Sequence, residues 1–470
     1  MSTVLSERDM RLNHRLIYFY PLFISLSFLV ATPIAVFYTK EWDFFENLVR
    51  ILTSPSKLVT DYFALGGLGS TLFNAAICGL FANLIIYLSR ARADATILAG
   101  YMLVVAHCFY GLNFLNMWPP FIGILLYCGV TRRAIRENIH IAFFSTALAP
   151  FVSELCFRYA LGNYTPSAVN VNWVGVTLSL ICGLAIGFVI PALLPGMAAM
   201  HRGYSLYKAG LSIGILGIFL NAFMYSTLGV ETPGDLVIVN DSYYALPYGY
   251  RGFMNTFFVI LFLVTFAVGF LLNKKSLRGY RELLQCTGHG TDFTDKFGMP
   301  VCMINIAIYG MAILVYLNFV FLLPSIIPAL PEGVGFTGAT AGVIFAALTF
   351  AADGQHIRNV FPIAVGYIAL FGVVILICGM TKFSIPWTLS TQAYINGLAF
   401  ATGLCPIAGK YGFRYGVLAG LMSAIICAIT AEMHGGFVLY NGGFNAGLTA
   451  LILIPILDFY NVKPIRESDI

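Results

Sequence analysis

Apolar stretches alternate with short polar turns along the whole chain, near residues 16–38, 68–88, 93–110, 118–131, 139–157, 170–194, 208–229, 250–273, 300–322, 333–352, 360–380, 387–406, 412–434 and 442–460. Most reach the length that an α-helix, rising about 1.5 Å per residue, needs to cross about 30 Å of hydrocarbon. The pattern predicts an all-α polytopic membrane protein of about fourteen transmembrane helices. The first run follows Arg8, Arg11 and Arg15 and lacks a small-residue cleavage site, so it reads as the first helix and not as a secretory signal. The amphipathic stretch from Asp43 to Lys57 is expected along the outer surface, and the loop from Lys274 to Lys296 along the inner one.

The chain also repeats itself. Arg50, Thr60, Asp61, Gly67, Asn74 and Gly79 recur as Arg281, Thr291, Asp292, Gly298, Asn305 and Gly310, each displaced by 231 residues. A Gly-x4-Asn-x2-Pro-x3-Gly motif follows in both halves and matches Gly111, Asn116 and Pro119 with Gly354, Asn359 and Pro362. Pro150 and Phe157-Arg158-Tyr159 return as Pro406 and Phe413-Arg414-Tyr415. The longest match begins at Met200-His201 and Met433-His434 and pairs Tyr207 with Tyr440, and Gly210 with Gly443. Seven crossings per copy is an odd number, so a second copy must enter the membrane the other way up. The expectation is two inverted seven-helix repeats with broken helices, over residues 1–238 and 239–470, in the manner of transporters built by duplication.

Composition supports lipid as the solvent: 59% of the residues are hydrophobic and 10% charged, against about 25% charged in a soluble domain. The net charge of +5 needs no nucleic acid to explain it, because twenty of the 26 Lys and Arg fall in or beside segments that the span order places in the cytoplasm. The exceptions are Lys40, Arg50, Lys57, Arg158, Arg251 and Lys382. This distribution sets both termini in the cytoplasm. The ten cysteines show no CxxC spacing and no histidine at ligand spacing, so no disulfide, metal or cofactor is predicted.

The motif at Asn116 carries the most chemistry. Only about thirteen residues separate Trp118 from Arg132 and Arg133, a helix of roughly 20 Å that cannot span alone. Gly111 to Trp118 is then irregular backbone inside the membrane, tolerated where protein or a water-filled cavity surrounds it. Pro119 would start a half-helix whose unpaired N–H groups meet a polar or anionic solute, with Asn116 adding side-chain hydrogen bonds. Gly354, Asn359 and Pro362 should do the same in the second copy, where Asp353, His356 and Arg358 add charge that the first copy lacks.

These glycines and prolines also suit close helix packing, and Arg358 suits a loop arginine with its head in water. Glu154 is a candidate coupling group, matched by Lys410 in the second copy, but it also stands one helical turn from Arg158 as an ion-pair partner. Asn74 and Asn305 are expected to bond between helices. His107 reads as a core histidine, and His201 and His434 as packing residues.

The segment GGLGSTLFNAAICGL from Gly66 and the duplicated Gly-x4-Asn-x2-Pro-x3-Gly motif resemble a bacterial multi-pass membrane family with a duplicated domain of unknown function. That resemblance covers nearly the whole chain and implies a bacterial plasma membrane, without a substrate or site residues to carry over. YNGGFNAGLTALIL from Tyr440 is similar to the helix starts of urea transporters, which are inverted-repeat channels. Seven plus seven crossings also resembles the plan of nucleobase and anion transporters.

The expected function is movement of a small polar or anionic solute by alternating access between the repeats, in a chain whose partners are the bilayer, the solute and conceivably a second copy of itself. Two alternatives stand beside it: a passive channel for a small neutral solute, and a membrane enzyme acting on a lipid-linked substrate. Against an enzyme stand the scarcity of clustered His, Asp and Glu and the lack of a large soluble loop.

Overall fold

A chain whose helices carry apolar residues all round must bury one side in protein and leave the other to lipid. The helix Arg251–Leu272 buries Met254, Phe258, Leu261 and Phe262 while leaving Ile260, Leu263 and Leu271 more than half exposed. The computed structural model describes residues 7–58, 60–159, 171–234 and 249–465, and among them every regular element is helical. Among the described residues, nine helical segments are long and apolar enough to cross a membrane. The protein is therefore a helical membrane protein. The expected boundary between the copies, at residues 238 and 239, lies outside the described residues.

The first half runs through α1 (Glu7–Thr39), α2 (Phe44–Thr53), α3 (Tyr62–Leu88), α4 (Ala95–His107), α5 (Trp118–Thr131), α6 (Ile135–Ser145), α7 (Ala149–Phe157), α8 (Trp173–Met200) and α9 (Lys208–Asn221). The second runs through α10 (Arg251–Leu272), α11 (Tyr280–Leu283), α12 (Phe293–Phe297), α13 (Met299–Ile326), α14 (Gly338–Ala347), α15 (Ile357–Thr381), α16 (Gln392–Ala401), α17 (Cys405–Tyr411), α18 (Phe413–Ile426), α19 (Ile429–Met433) and α20 (Asn441–Phe459). Several apolar runs of the sequence fold as short pieces. The run at 333–352 forms a ten-residue helix, α14, and the run at 387–406 is cut by a 3-10 turn at Thr402–Leu404. The matched turn, Thr146–Leu148, joins α6 to α7.

Matched residues make matched local structure. The Asp61 carboxylate accepts from the N–H of Phe63 at the start of α3, and the Asp292 carboxylate accepts from those of Thr294 and Asp295 at the start of α12. Both helices then break at a glycine, Gly67 (φ 76°, ψ 175°) and Gly298 (φ 83°, ψ 155°), in backbone that a side chain would strain. Asn74 donates to the carbonyls of Cys108 and Leu112, and Asn305 to those of Ala351 and Gln355.

Contacts between the halves are reciprocal. Asp61 also accepts from the Gly338 N–H that opens α14, while Asp292 accepts from the Ala95 N–H that opens α4. Leu206 donates to the Gly403 carbonyl, and its match Leu439 to the Ala147 carbonyl. The matched helices α4 and α14 run antiparallel. A Cβ at Gly338 would lie 2.6 Å from the Phe109 carbonyl oxygen and one at Gly342 2.3 Å from that of Ala106, so the register rises along one helix as it falls along the other. Near the starts of α9 and α20 the backbones meet, with the carbonyl of Gly443 2.3 Å from where a Cβ on Gly210 would sit.

Candidate functional site

Each half has a helix interrupted at a matched place, between α4 and α5 and between α14 and α15. In the first break Asn116 closes a turn. Its Oδ1 accepts from the Asn113 N–H at 2.8 Å, and its Nδ2 donates to the Gly111 carbonyl at 2.8 Å and the Ser153 hydroxyl at 2.9 Å. Asn359 closes the second in the same way, accepting from the His356 N–H at 3.0 Å and donating to the Gly354 carbonyl at 2.8 Å.

His356 caps α15 by accepting the Asn359 N–H at Nδ1, while its Nε2 faces the Cys286 carbonyl at 3.0 Å. That pair of partners requires the neutral tautomer with hydrogen on Nε2. Gly111 (φ 148°) and Gly354 (φ 116°) provide the turns, and Gly288 packs within reach of the Gly354 carbonyl. Pro119 opens the short α5, whereas Pro362 lies inside the 25-residue α15 that His356 caps, so the half-helix start expected at Pro362 is not formed; the two prolines fill matched notches at Gly183 and Gly416.

The amides of Asn116 and Asn359 are thus occupied by their own chain, each in its own half. Asn116→Ala would leave the buried Asn113 N–H and Gly111 carbonyl without those bonds, at about 1–3 kcal/mol for each unpaired group. The expected result is a lower unfolding temperature in detergent, read by scanning fluorimetry. A variant with unchanged stability and lost transport would instead return Asn116 to the solute.

Between the breaks lies a cluster of which the sequence singled out His107 alone, as a core histidine. The matched residues Tyr207 and Tyr440 precede α9 and α20, and their rings pack on each other with centroids 5.4 Å apart. Tyr440 lies against His107 at 6.3 Å, and Tyr207 against Phe350, the match of His107, at 4.8 Å. Tyr440 also meets Phe144 and Tyr207 meets its match Phe400. His107 touches Tyr110 as well, at 5.6 Å.

The Tyr207 hydroxyl donates to the Ala346 carbonyl, but both ring nitrogens of His107 and the hydroxyls of Tyr110 and Tyr440 have no hydrogen-bond partner among the described residues. All three side chains are buried to 1% exposure or less. Unpaired buried polar groups cost about 1–3 kcal/mol each. Their clustering here points to water or a solute as the missing partner. The one trace of this in the sequence is the conserved spacing of Tyr207 and Tyr440 within the longest repeat match.

The copies differ around this centre. Asp353 stands where the first half has Tyr110, and Lys208 where the second has Asn441. Asp353 lies in the break, outside every helix and partly accessible. Burial raises its carboxyl to about 7, Lys208 opposes that, and Asp292 and Asp94 add to it.

A groove of about 350 Å³ opens in the second half along Tyr309, Val343, Val360, Ala399 and Thr402. In the first half Phe81, Phe114, Trp118 and Phe121 pack together in the matched space, where the second has Ala312, Ile357, Phe361 and Ala364.

The remaining candidates lie elsewhere. Arg158 grips Glu154 through Nε and Nη2 at 2.7–2.9 Å, and Tyr225 donates to the same carboxylate. Lys410 sits over the Tyr204 ring at 5.4 Å, and Arg358 is exposed on the first turn of α15. No group of three or more His, Cys, Asp or Glu placed to hold a metal ion occurs among the described residues.

The model of one family, described as a protein of unknown function (DUF1576), matches twice, over residues 40–226 and 272–459. Its two matches begin 232 and end 233 residues apart, close to the displacements of the first and last sets of paired residues, which makes the duplication a property of the domain. No curated protein and no solved structure matches the chain.

Proposed function

Since the chain belongs to the DUF1576 family and carries that domain twice, we propose that it is a transporter moving a small polar solute across a bacterial plasma membrane by alternating access between two inverted repeats. The observation that carries this reading is the reciprocal packing of the halves around Tyr207 and Tyr440, with α4 and α14 antiparallel. Matched contacts that exchange between copies are those of an isologous pair. A twofold that reverses matched helices lies perpendicular to them, hence in the membrane plane when those helices stand along its normal. Inward-open and outward-open states then become exchanges of roles between copies.

The solute is the missing partner of His107, Tyr110 and Tyr440, whose unpaired donors and acceptors suit a neutral polar molecule better than an anion. Asn116 and Asn359 hold the breaks that shape this space. No catalytic step is assigned, and the termini are read as cytoplasmic.

Two measurements test the proposal. Purified protein in proteoliposomes should take up a member of a panel of nucleobases, organic acids, amino acids and urea, and accumulate it under an imposed proton or sodium gradient. Equilibration without accumulation would replace the carrier by a channel. For the inversion, Arg132 and Lys382 are the exposed left-handed caps of α5 and α15. Single cysteines at these positions should react with an impermeant maleimide from opposite faces of the membrane. The native cysteines give little background, eight of the ten being buried. Labelling of both positions from one face would end the inverted reading.

A further inference from the structure

Between the start of α1 and the end of α3 runs a groove of about 1030 Å³. Its walls are apolar, with Phe19, Leu22, Leu80 and Leu84, and its rim carries His14, Arg15, Arg90 and Arg92, all exposed. Arg92 has a carboxylate partner, Asp94 at 3.7 Å, whereas Arg15 and Arg90 make no ion pair among the described residues. An apolar slot that ends in unneutralised cations is the complement of a molecule with acyl chains and an anionic head.

The duplicated backbone supplies a control within the molecule. At the matched end of α13, Phe321 and Leu323 stand where α3 is followed by Arg90 and Arg92. The helix pair therefore folds without those charges, so its packing does not require them. The end that carries them is also the end that the positive-inside bias places at the cytoplasmic leaflet, where anionic lipids concentrate.

We propose that the groove between α1 and α3 binds an anionic phospholipid, with its head group against Arg15, Arg90 and Arg92 and an acyl chain along Phe19, Leu80 and Leu84. All three arginines lie outside the Tyr207–Tyr440 cluster, so the lipid site stands or falls independently of the transport reading.

The test uses the full chain in nanodiscs and native mass spectrometry after detergent release, with phosphatidylglycerol and phosphatidylcholine offered together. Wild-type protein should retain phosphatidylglycerol preferentially. Arg15→Gln and Arg90→Gln should each reduce that preference about fivefold, as expected for loss of one interfacial cation. Arg90→Lys should keep most of it. Leu84→Trp, which fills the wall and leaves every charge in place, should lower retention of the lipid without changing binding of glycerol phosphate. Equal retention of the two lipids by the wild type would overturn the proposal. So would full competition by free glycerol phosphate, since the acyl wall would then contribute nothing.

Discussion

Glu154→Ala will destabilise the protein by about 3–5 kcal/mol, the cost of leaving a buried partner charge uncompensated. The Glu154 side chain is 1% exposed and that of Arg158 12%, and three hydrogen bonds of 2.7–2.9 Å tie them. Removing the carboxylate strands the guanidinium and takes an acceptor from the Tyr225 hydroxyl, which donates to it at 3.1 Å. Arg158→Ala strands the carboxylate and should cost a similar amount.

The paired replacement Glu154→Leu with Arg158→Met removes both charges together. It should recover most of the loss, because a buried ion pair exchanged for apolar residues of similar volume is often neutral or better. Chemical unfolding in detergent reads all three variants. Should Glu154→Gln fold normally yet lose accumulation while keeping downhill exchange, the carboxylate would be a coupling group and this structural assignment would be wrong.

Removing the unpaired groups at the centre should have the opposite signature. His107→Phe places in the first half the residue that the second half already has at Phe350, and Tyr440→Phe deletes one hydroxyl from a ring that keeps its packing. Neither change removes a hydrogen bond among the described residues, since neither group has one there. Stability should therefore hold or rise slightly. Transport should fall by about tenfold to a hundredfold for each, the worth of about 1–3 kcal/mol in a buried hydrogen bond to solute. Loss of transport with retained stability separates a site from a scaffold. Unchanged uptake by both variants would move the solute away from this cluster, and with it the centre of the proposed mechanism.

The two predictions divide residues that look alike in the sequence. Glu154, Asn116, His356 and His107 are all polar groups at the edges of apolar runs, and their spacing alone assigns them a similar weight. Partner geometry then sorts them. Arg158 is four residues from Glu154, so that pair was within reach of a helical reading. Asn113, three residues from Asn116, was equally local, but its role depended on a turn whose shape a sequence does not display. For His107 the decisive neighbour is Tyr440, which enters from the other half of the chain.

The sequence by itself determined that this protein lives in lipid as helices, because a chain so poor in charge must satisfy its backbone within each helix. It also determined the duplication, since matched residues keep their spacing through the loops between them, and it placed the breaks, where Gly and Pro cannot continue a helix. Only the tertiary structure decided which polar side chains are satisfied and which are left open. Whether a polar group finds a partner depends also on what distant parts of the chain bring against it, as Tyr440 is brought against His107, and hydropathy and spacing carry no record of a bond that is missing.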